Sequence, residues 1–294
     1  MQNRIVQKLI HVLIAGAFSL AAHAGSAATR EYRFSPSNQG GLLHTAAYWS
    51  PIVAHVDEKS GVRLTLWLGR VPADTVAYAK SQAVEFIFES PLLLGEHRSD
   101  WKVFARRANP SERVQVIVAA GSGLRNLRDL EGRMIAFDRP ESLGGYVLPH
   151  AELKARGVRK QPLFTGPVDG LALLQFGRVD AAVATESFLS GALAPVAGTY
   201  RVLWTSPPLP DLALMASGRV APEDIAAVAK AFVELGRDPK GRSLLERNAK
   251  RVGGSEATFI NSDESEYFAD QSLNSIFAVR APAARREPGA LAER

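Results

Sequence analysis

Apolar and polar positions follow two different periods along this chain. Tyr48, Ile52 and Val56 recur every four residues, which predicts a helix over residues 45–59 that ends at Gly61. Residues 62–68 alternate at every second position, as a half-buried strand does. Strand-like and helix-like segments alternate through most of the chain, and this pattern is typical of α/β layers around largely parallel sheets.

The same two periods predict the other elements. Predicted strands cover residues 31–34, 62–68, 84–88, 101–105, 114–119, 134–137, 163–164, 179–184 and 202–204. Predicted helices cover residues 45–59, 73–81, 124–130, 145–156, 167–176, 222–235, 242–247 and 265–277. The last segment, residues 281–294, has no apolar period and is predicted to be a disordered tail.

Two extended segments, residues 107–112 and 205–210, predict crossings between two domains. Both contain prolines, which restrict their own backbone and that of the preceding residue. If both join the same pair of domains, the chain forms a two-lobed α/β clamp on a two-stranded hinge. Residues 29–109 and 208–280 then form lobe 1, and residues 110–207 form lobe 2. Ligands in such folds lie between the lobes, beyond the carboxyl ends of strands.

The first 24 residues have the organisation of a secretory signal peptide. Arg4 and Lys8 precede a largely apolar run, and Ala22 and Ala24 are small residues at the positions that signal peptidase reads. The run is shorter than the roughly 20 apolar residues that a membrane anchor needs. Because no cysteine follows it for lipid attachment, the segment predicts a freely diffusing periplasmic protein.

Composition excludes several kinds of chemistry. The chain has 294 residues and no cysteine, which excludes thiolate catalysis, disulfides and cysteine-bound metals. The net charge is +5, but basic residues are scattered among acids, so no nucleic acid is expected as a partner. The sequence contains no HExxH, GxxxxGK[ST], GxSxG or GxGxxG motif. No catalytic residue, metal site or cofactor is therefore predicted, and the chain is not expected to be an enzyme.

One predicted junction between a strand and a helix has the residues of an anion-binding turn. Ser142 is suited to cap the helix, and Gly144 and Gly145 let a ligand approach backbone N–H groups. A structural cap with a tight turn explains the same residues equally well. Loops at Thr165 and Thr185 would lie at the same sheet edge if the sheet is parallel.

Longer motifs give the chain a family resemblance. Residues 128–137, 142–146 and 170–181 are similar, in order and spacing, to the core of the phosphate/phosphite/phosphonate-binding periplasmic proteins of ABC importers. The similarity extends from Tyr32 to Phe277. It implies a type II periplasmic binding-protein fold that closes on a ligand and presents it to a membrane permease.

The candidate ligand-binding residues lie in both predicted lobes. Lobe 2 is expected to contribute the capped turn and the end of a later strand, and lobe 1 is expected to contribute strand ends. The candidates are Ser142, Gly144, Gly145, Tyr146, Thr185 and Glu186 from lobe 2, with Ser37, Asn38 and Ser90 from lobe 1.

The loop that contains Ser142 departs from the family pattern. Phosphonate binders usually have a Ser-Thr-Ser run at the helix start, and this chain keeps only Ser142; Val168 stands where they often carry a histidine. Glu186 occupies the place of a family aspartate that can meet a ligand amine, and Glu89 is a second acid at the edge of the other lobe. Two acids near an anion cradle predict a phosphonate-like or phosphate-like ligand that tolerates a positive charge, such as a zwitterion.

The sequence therefore predicts a periplasmic solute-binding protein that captures a small oxyanion-type ligand for ABC import. Its partners would be the small-molecule ligand and an ABC permease in the inner membrane. Two alternatives stay open at this point. One is an orphan receptor domain for a signalling partner such as a sensor kinase, and the other is an enzyme built on the same fold.

Overall fold

The computed structural model describes residues 30–38, 41–192, 199–252 and 257–268. The predicted signal peptide, the predicted tail and most of the predicted helix 265–277 lie outside the described residues. Within the described ranges, no helix has both the length and the apolar character that crossing a membrane requires.

The strands of the described chain are distributed along its whole length. They are β1 (Glu31–Pro36), β2 (Arg63–Leu66), β3 (Phe86–Glu89), β4 (Trp101–Arg107), β5 (Val114–Ala119), β6 (Met134–Phe137), β7 (Gln161–Phe164), β8 (Ala181–Thr185), β9 (Tyr200–Thr205), β10 (Ala213–Ser217) and β11 (Phe259–Asn261).

Helices separate most of these strands. They are α1 (Leu42–Ser60), α2 (Ala73–Lys80), α3 (Leu148–Ala155), α4 (Pro167–Gln175), α5 (Glu186–Ala192), α6 (Pro222–Glu234), α7 (Pro239–Val252) and α8 (Ser265–Phe268). Two 3₁₀ segments, Pro91–Asp100 and Leu127–Leu130, and a π-helical turn, Leu143–Val147, complete the described elements.

The strands form two separate sheets. Six strands are ordered β11-β4-β10-β3-β1-β2, and five are ordered β7-β6-β8-β5-β9. In the first sheet β1 pairs in parallel with β2 and β3, and in the second β6 pairs in parallel with β7 and β8. The predicted fold class, two α/β lobes joined by a two-stranded hinge, is confirmed. The residue limits of the lobes stay a prediction.

The core of lobe 1 lies between its sheet and α1. The predicted four-residue face of α1 is the buried one, since Tyr48, Ile52 and Val56 are all among its buried residues. Trp49 packs against Phe34 of β1 with ring centroids 5.1 Å apart. Burial of such aromatic and branched side chains is the main stabilising term for a lobe of this size.

The two lobes are joined by hydrogen bonds and by apolar packing. The N–H of Glu112 donates to the carbonyl of Leu209 at 2.8 Å, and the reverse hydrogen bond is 2.7 Å long. Beside this pair, Arg107 and Asp211 of lobe 1 form a bidentate ion pair at 2.8 and 2.9 Å, which ties the two crossing segments together. Leu92, which follows β3 in lobe 1, is 2% exposed and packs into the apolar core of lobe 2. The lobes are therefore in direct contact.

Two predicted elements differ from the observed ones for local reasons. The predicted helix 124–130 is only the 3₁₀ segment Leu127–Leu130, because the side chain of Asn126 accepts from the N–H of Arg128 and caps the start of the segment there. The predicted loop at Thr185 is instead the last residue of β8, and α5 begins directly at Glu186.

Candidate ligand-binding site

The carboxyl ends of β1 and β3 lie side by side in lobe 1. The strands are parallel, and the N–H of Ser37 donates to the carbonyl of Phe88 at 2.8 Å. Ser37 therefore lies beside Glu89, the last residue of β3.

The loops that follow β6, β7 and β8 share one edge of the sheet of lobe 2. This arrangement follows from the parallel pairing of β6 with both neighbours, as the sequence predicts. The loop after β6 contains Arg139 and Ser142 and leads into the π-helical turn.

Both lobes line a small cavity of about 40 Å³ between these edges. A volume of this size holds only a few water-sized groups. Lobe 1 and the hinge contribute Ser37, Pro72, Val76, Glu89, Leu93 and Leu212, and lobe 2 contributes Arg139, Glu141, Ser142 and Leu143.

A larger cleft of about 460 Å³ adjoins the hinge. It shares Ser142, Leu143 and Leu212 with the small cavity, so the two spaces are neighbours. Its other lining residues are Asn109, Pro110, Glu112, Val114, Gly144, Gly145, Thr185, Ser187, Leu209, Pro210 and Asp211.

Glu89 is a buried acid at the small cavity. Its residue is 3% exposed, and its carboxylate accepts a 2.8 Å hydrogen bond from the N–H of Ser90. Burial raises the pKa of Glu89 to about 7, and the hydrogen bond from Ser90, the neighbouring hydroxyl of Ser37 and the charge of Arg139 only partly oppose this. The group therefore titrates near neutral pH.

Ser142 organises the turn on the opposite side of the cavity. Its hydroxyl oxygen accepts the N–H of Gly145 at 3.0 Å, and its carbonyl accepts the N–H groups of Tyr146 and Val147 at 3.0 and 2.9 Å. The predicted role of Ser142 as a helix cap is what the structure has.

Close packing explains the two glycines of this turn. A Cβ atom on Gly144 would lie 2.7 Å from Val114 Cγ2 of the hinge strand β5. A Cβ atom on Gly145 would lie 2.4 Å from the Cβ of Asp138. Both positions therefore require glycine whether or not a ligand approaches the backbone.

The sequence also matches a protein family. Residues 43–267 fit the family model described as ABC transporter, phosphonate, periplasmic substrate-binding protein. The chain belongs to this family. The family consists of transport proteins rather than enzymes, so this binding protein works in the periplasm, takes up a small molecule and delivers it to an ABC permease.

Three solved structures resemble the binding protein in fold. A Xanthomonas citri protein bound to ATP has a TM-score of 0.67 at 17% identity, over 84% of this chain and 96% of its own. PhnD1 from Prochlorococcus marinus, in complex with methylphosphonate, has a TM-score of 0.62 at 13% identity, over 84% of this chain and 98% of its own. A binding protein component of a Pseudomonas aeruginosa ABC phosphonate transporter has a TM-score of 0.61 at 16% identity, over 85% of this chain and 87% of its own. No curated protein matches the sequence.

The structure brings five of the predicted site residues of the binding protein to the two spaces. Ser37 of lobe 1 and Ser142 of lobe 2 both line the small cavity. Gly144, Gly145 and Thr185 line the larger cleft with Ser142.

Two predicted residues of lobe 2 lie elsewhere. The Tyr146 ring packs within lobe 2, with its centroid 5.1 Å from that of Phe137 and 4.9 Å from that of His150. Glu186 is exposed at the start of α5 and lies outside the lining of both spaces. Contact of either residue with a ligand stays a prediction.

Asn38 and Ser90 of lobe 1 are buried beside the cavity rather than in its lining. The Asn38 amide donates to the carbonyls of Gly69 and Arg70 at 2.9 and 3.3 Å and accepts the Thr45 hydroxyl at 3.0 Å. These bonds hold the end of β1 to the loop after β2.

Sequence reasoning placed Glu89 near the anion cradle as a second acid but did not include it among the ligand-binding candidates, and it did not single out Arg139 or Glu141. The sequence around Glu89 could have identified it, because an acid that directly follows three apolar residues of a strand is expected to be buried, and buried acids are rare unless they are paired. Arg139 and Glu141 lie in the same loop as Ser142, where solvated charges are common.

Proposed function

We propose that this protein captures a small phosphonate-type oxyanion in the cavity between its lobes and presents it to an ABC permease. The observation that carries the proposal is the small cavity, which is lined by two residues with hydroxyl side chains, Ser37 and Ser142, and by Arg139 with its guanidinium. Hydroxyl and guanidinium donors are the groups that bind phosphonate oxygens through charge-assisted hydrogen bonds.

The division of these donors between two lobes supports a capture mechanism. Ser37 belongs to lobe 1, and Arg139 and Ser142 belong to lobe 2. An oxyanion that contacts all three would stabilise the arrangement with the lobes in contact, which is the state a permease would recognise. Export through cleavage of residues 1–24 is part of the same proposal.

Thermal unfolding of the mature protein, from Gly25 onward, tests the proposed function. Phosphate, phosphite, methylphosphonate, 2-aminoethylphosphonate, simple carboxylates and amino acids form the ligand panel. A ligand at 100 times its dissociation constant adds about 2.7 kcal/mol to the free energy of unfolding, which raises the midpoint by several degrees. We expect at least one phosphorus oxyanion to give this shift.

Two variants identify the cavity as the place of binding. Arg139→Gln is expected to remove most of the shift, because it replaces the guanidinium in the cavity. Arg178→Gln is the matched control, since Arg178 is exposed and lies outside the lining of both spaces. If only carboxylates raise the unfolding midpoint, the proposed phosphonate-type ligand is wrong. If no compound in the panel raises it, docking on a sensor kinase is favoured.

A further inference from the structure

The small cavity combines anion-binding donors with a buried acid. Ser37, Arg139 and Ser142 suit an oxyanion, whereas the carboxylate of Glu89 is an acceptor when ionised. A carboxylate offers about four acceptor sites, and the hydrogen bond from the N–H of Ser90 fills only one of them. An ionised Glu89 would therefore repel an anionic ligand oxygen at the same cavity.

One proton removes this conflict. A hydrogen between a carboxylate oxygen and a ligand oxygen turns repulsion into a short, charge-assisted hydrogen bond. The proton can reside on either oxygen, as in other pairs of acids that share a site.

We propose that Glu89 shares one proton with the bound oxyanion, so that the ligand and a proton are captured together. The inference rests on the proposed function, because it assumes that an oxyanion occupies the cavity. It assigns Glu89 as the residue that selects the protonation state in which the ligand is bound.

The charged surroundings of Glu89 allow this role. Arg139 and Glu141 line the cavity from lobe 2, and Asp138 lies beside Arg139, with its carboxylate 3.8 Å from the guanidinium. The other lining groups from α2, the 3₁₀ segment and the hinge are apolar. Because the carboxyl of Glu89 titrates near pH 7, it can hold the shared proton at neutral pH and loses it above.

The test compares methylphosphonate with methanesulfonate, two probes of similar shape. A phosphonate can itself carry a proton near neutral pH, whereas a sulfonate carries none, so the shared proton in a sulfonate complex comes from Glu89 or from solvent. We expect the affinity of the wild-type protein for methanesulfonate to fall tenfold per pH unit above pH 7, or about 100-fold between about pH 7 and pH 9. Calorimetric titration in two buffers with different ionisation enthalpies should show that about one proton is taken up per bound sulfonate at about pH 9.

Glu89→Gln is the decisive variant. Its amide donates an N–H to the oxyanion without taking up a proton, so we expect both the pH dependence and the proton uptake to disappear. Glu96→Gln is the matched control: it removes the same charge from an exposed side chain of lobe 1, and it should keep the wild-type pH profile. The proton-uptake measurement needs only the wild-type protein, so it stands even if the variant folds poorly.

Each other outcome has a definite meaning. If both probes bind with no pH dependence and no proton uptake, the inference is wrong and the proposed function remains. If only 2-aminoethylphosphonate binds, without proton uptake, a ligand ammonium supplies the hydrogen to Glu89 and proton sharing is overturned. If no oxyanion binds at any pH, the proposed function and the inference fail together.

Discussion

The two faces of the inter-lobe cavity differ in how their polar groups are held. On the lobe 1 side, Glu89 in the lining and Asn38 beside the cavity are 3% and 2% exposed and are fixed by hydrogen bonds within the lobe. On the face of lobe 2, Ser142 is half-buried, and the Arg139 side chain is 38% exposed. Lobe 1 therefore presents a fixed acceptor, and lobe 2 presents donors that are still partly hydrated.

The segments that follow the strands account for much of this difference, because β1, β3 and β6 all lie inside their sheets. After β1 and β3 the chain stays buried at Asn38, Ser90 and Leu92. After β6 it forms a half-buried turn that packs against Val114 and Leu209 of the hinge. A buried acid has an altered pKa and a large effect on stability, whereas rim donors affect stability little and binding more.

The largest expected effect is on the acid of lobe 1. The pKa of Glu89 is raised to about 7 from an ordinary value of 4.5, so the folded protein keeps a proton that the unfolded chain loses between these values. The free energy of unfolding should therefore fall as pH rises from about 4.5 to about 7, by about 3 kcal/mol from this group. Glu89→Gln should remove that loss and be the more stable protein near pH 8, as urea unfolding without ligand would measure.

Glu96→Gln is the comparison for this experiment as well, because its carboxyl is solvated and the variant should follow the wild-type stability profile. Equal stability of the wild-type protein and Glu89→Gln at both about pH 5 and about pH 8 would mean that burial of Glu89 carries no such penalty.

The second effect concerns the two asparagines that fix loops in the two lobes. Asn38→Ala removes three hydrogen bonds from a fully buried site, and we expect a loss of about 2–3 kcal/mol in the free energy of unfolding. Asn126→Ala removes an exposed cap in lobe 2 and should cost about 1 kcal/mol. Denaturant titration of both variants would measure the difference, and equal losses would contradict the contrast between the lobes.

The period of apolar residues was enough to predict the two α/β lobes, because most strands and helices here are amphipathic. It did not reveal β10, whose residues Ala213–Ser217 are all buried and therefore show no alternation. This strand is central, since it pairs with both β3 and β4. The continuous apolar run here is Leu212 to Ala216, between a proline-rich segment and a turn. Such a short run does not distinguish a strand from other buried structure.

The sequence predicted those site residues that directly follow a strand, because the end of the strand fixes where they lie. Ser37 and Ser142 follow strands at adjacent edges, and the structure brings both to the cavity. The direction of a side chain on a helical turn depends on details that spacing does not supply. Tyr146, for example, lies in the π-helical turn, and its ring packs on Phe137 within its own lobe.

The smallest expected effect on stability is at the capped turn of lobe 2. Ser142→Ala removes the acceptor for the Gly145 N–H, which should lower the free energy of unfolding by about 1 kcal/mol. It also removes a hydroxyl from the cavity lining, and the loss of one hydrogen bond of about 1 kcal/mol should weaken the affinity for methylphosphonate by roughly five- to tenfold. Calorimetric titration would measure this change, with Ser190→Ala, an exposed serine on α5, as the control. A variant that loses stability but keeps full affinity would show that Ser142 only shapes the turn, and that the donors of lobe 2 are reduced to Arg139 and the backbone.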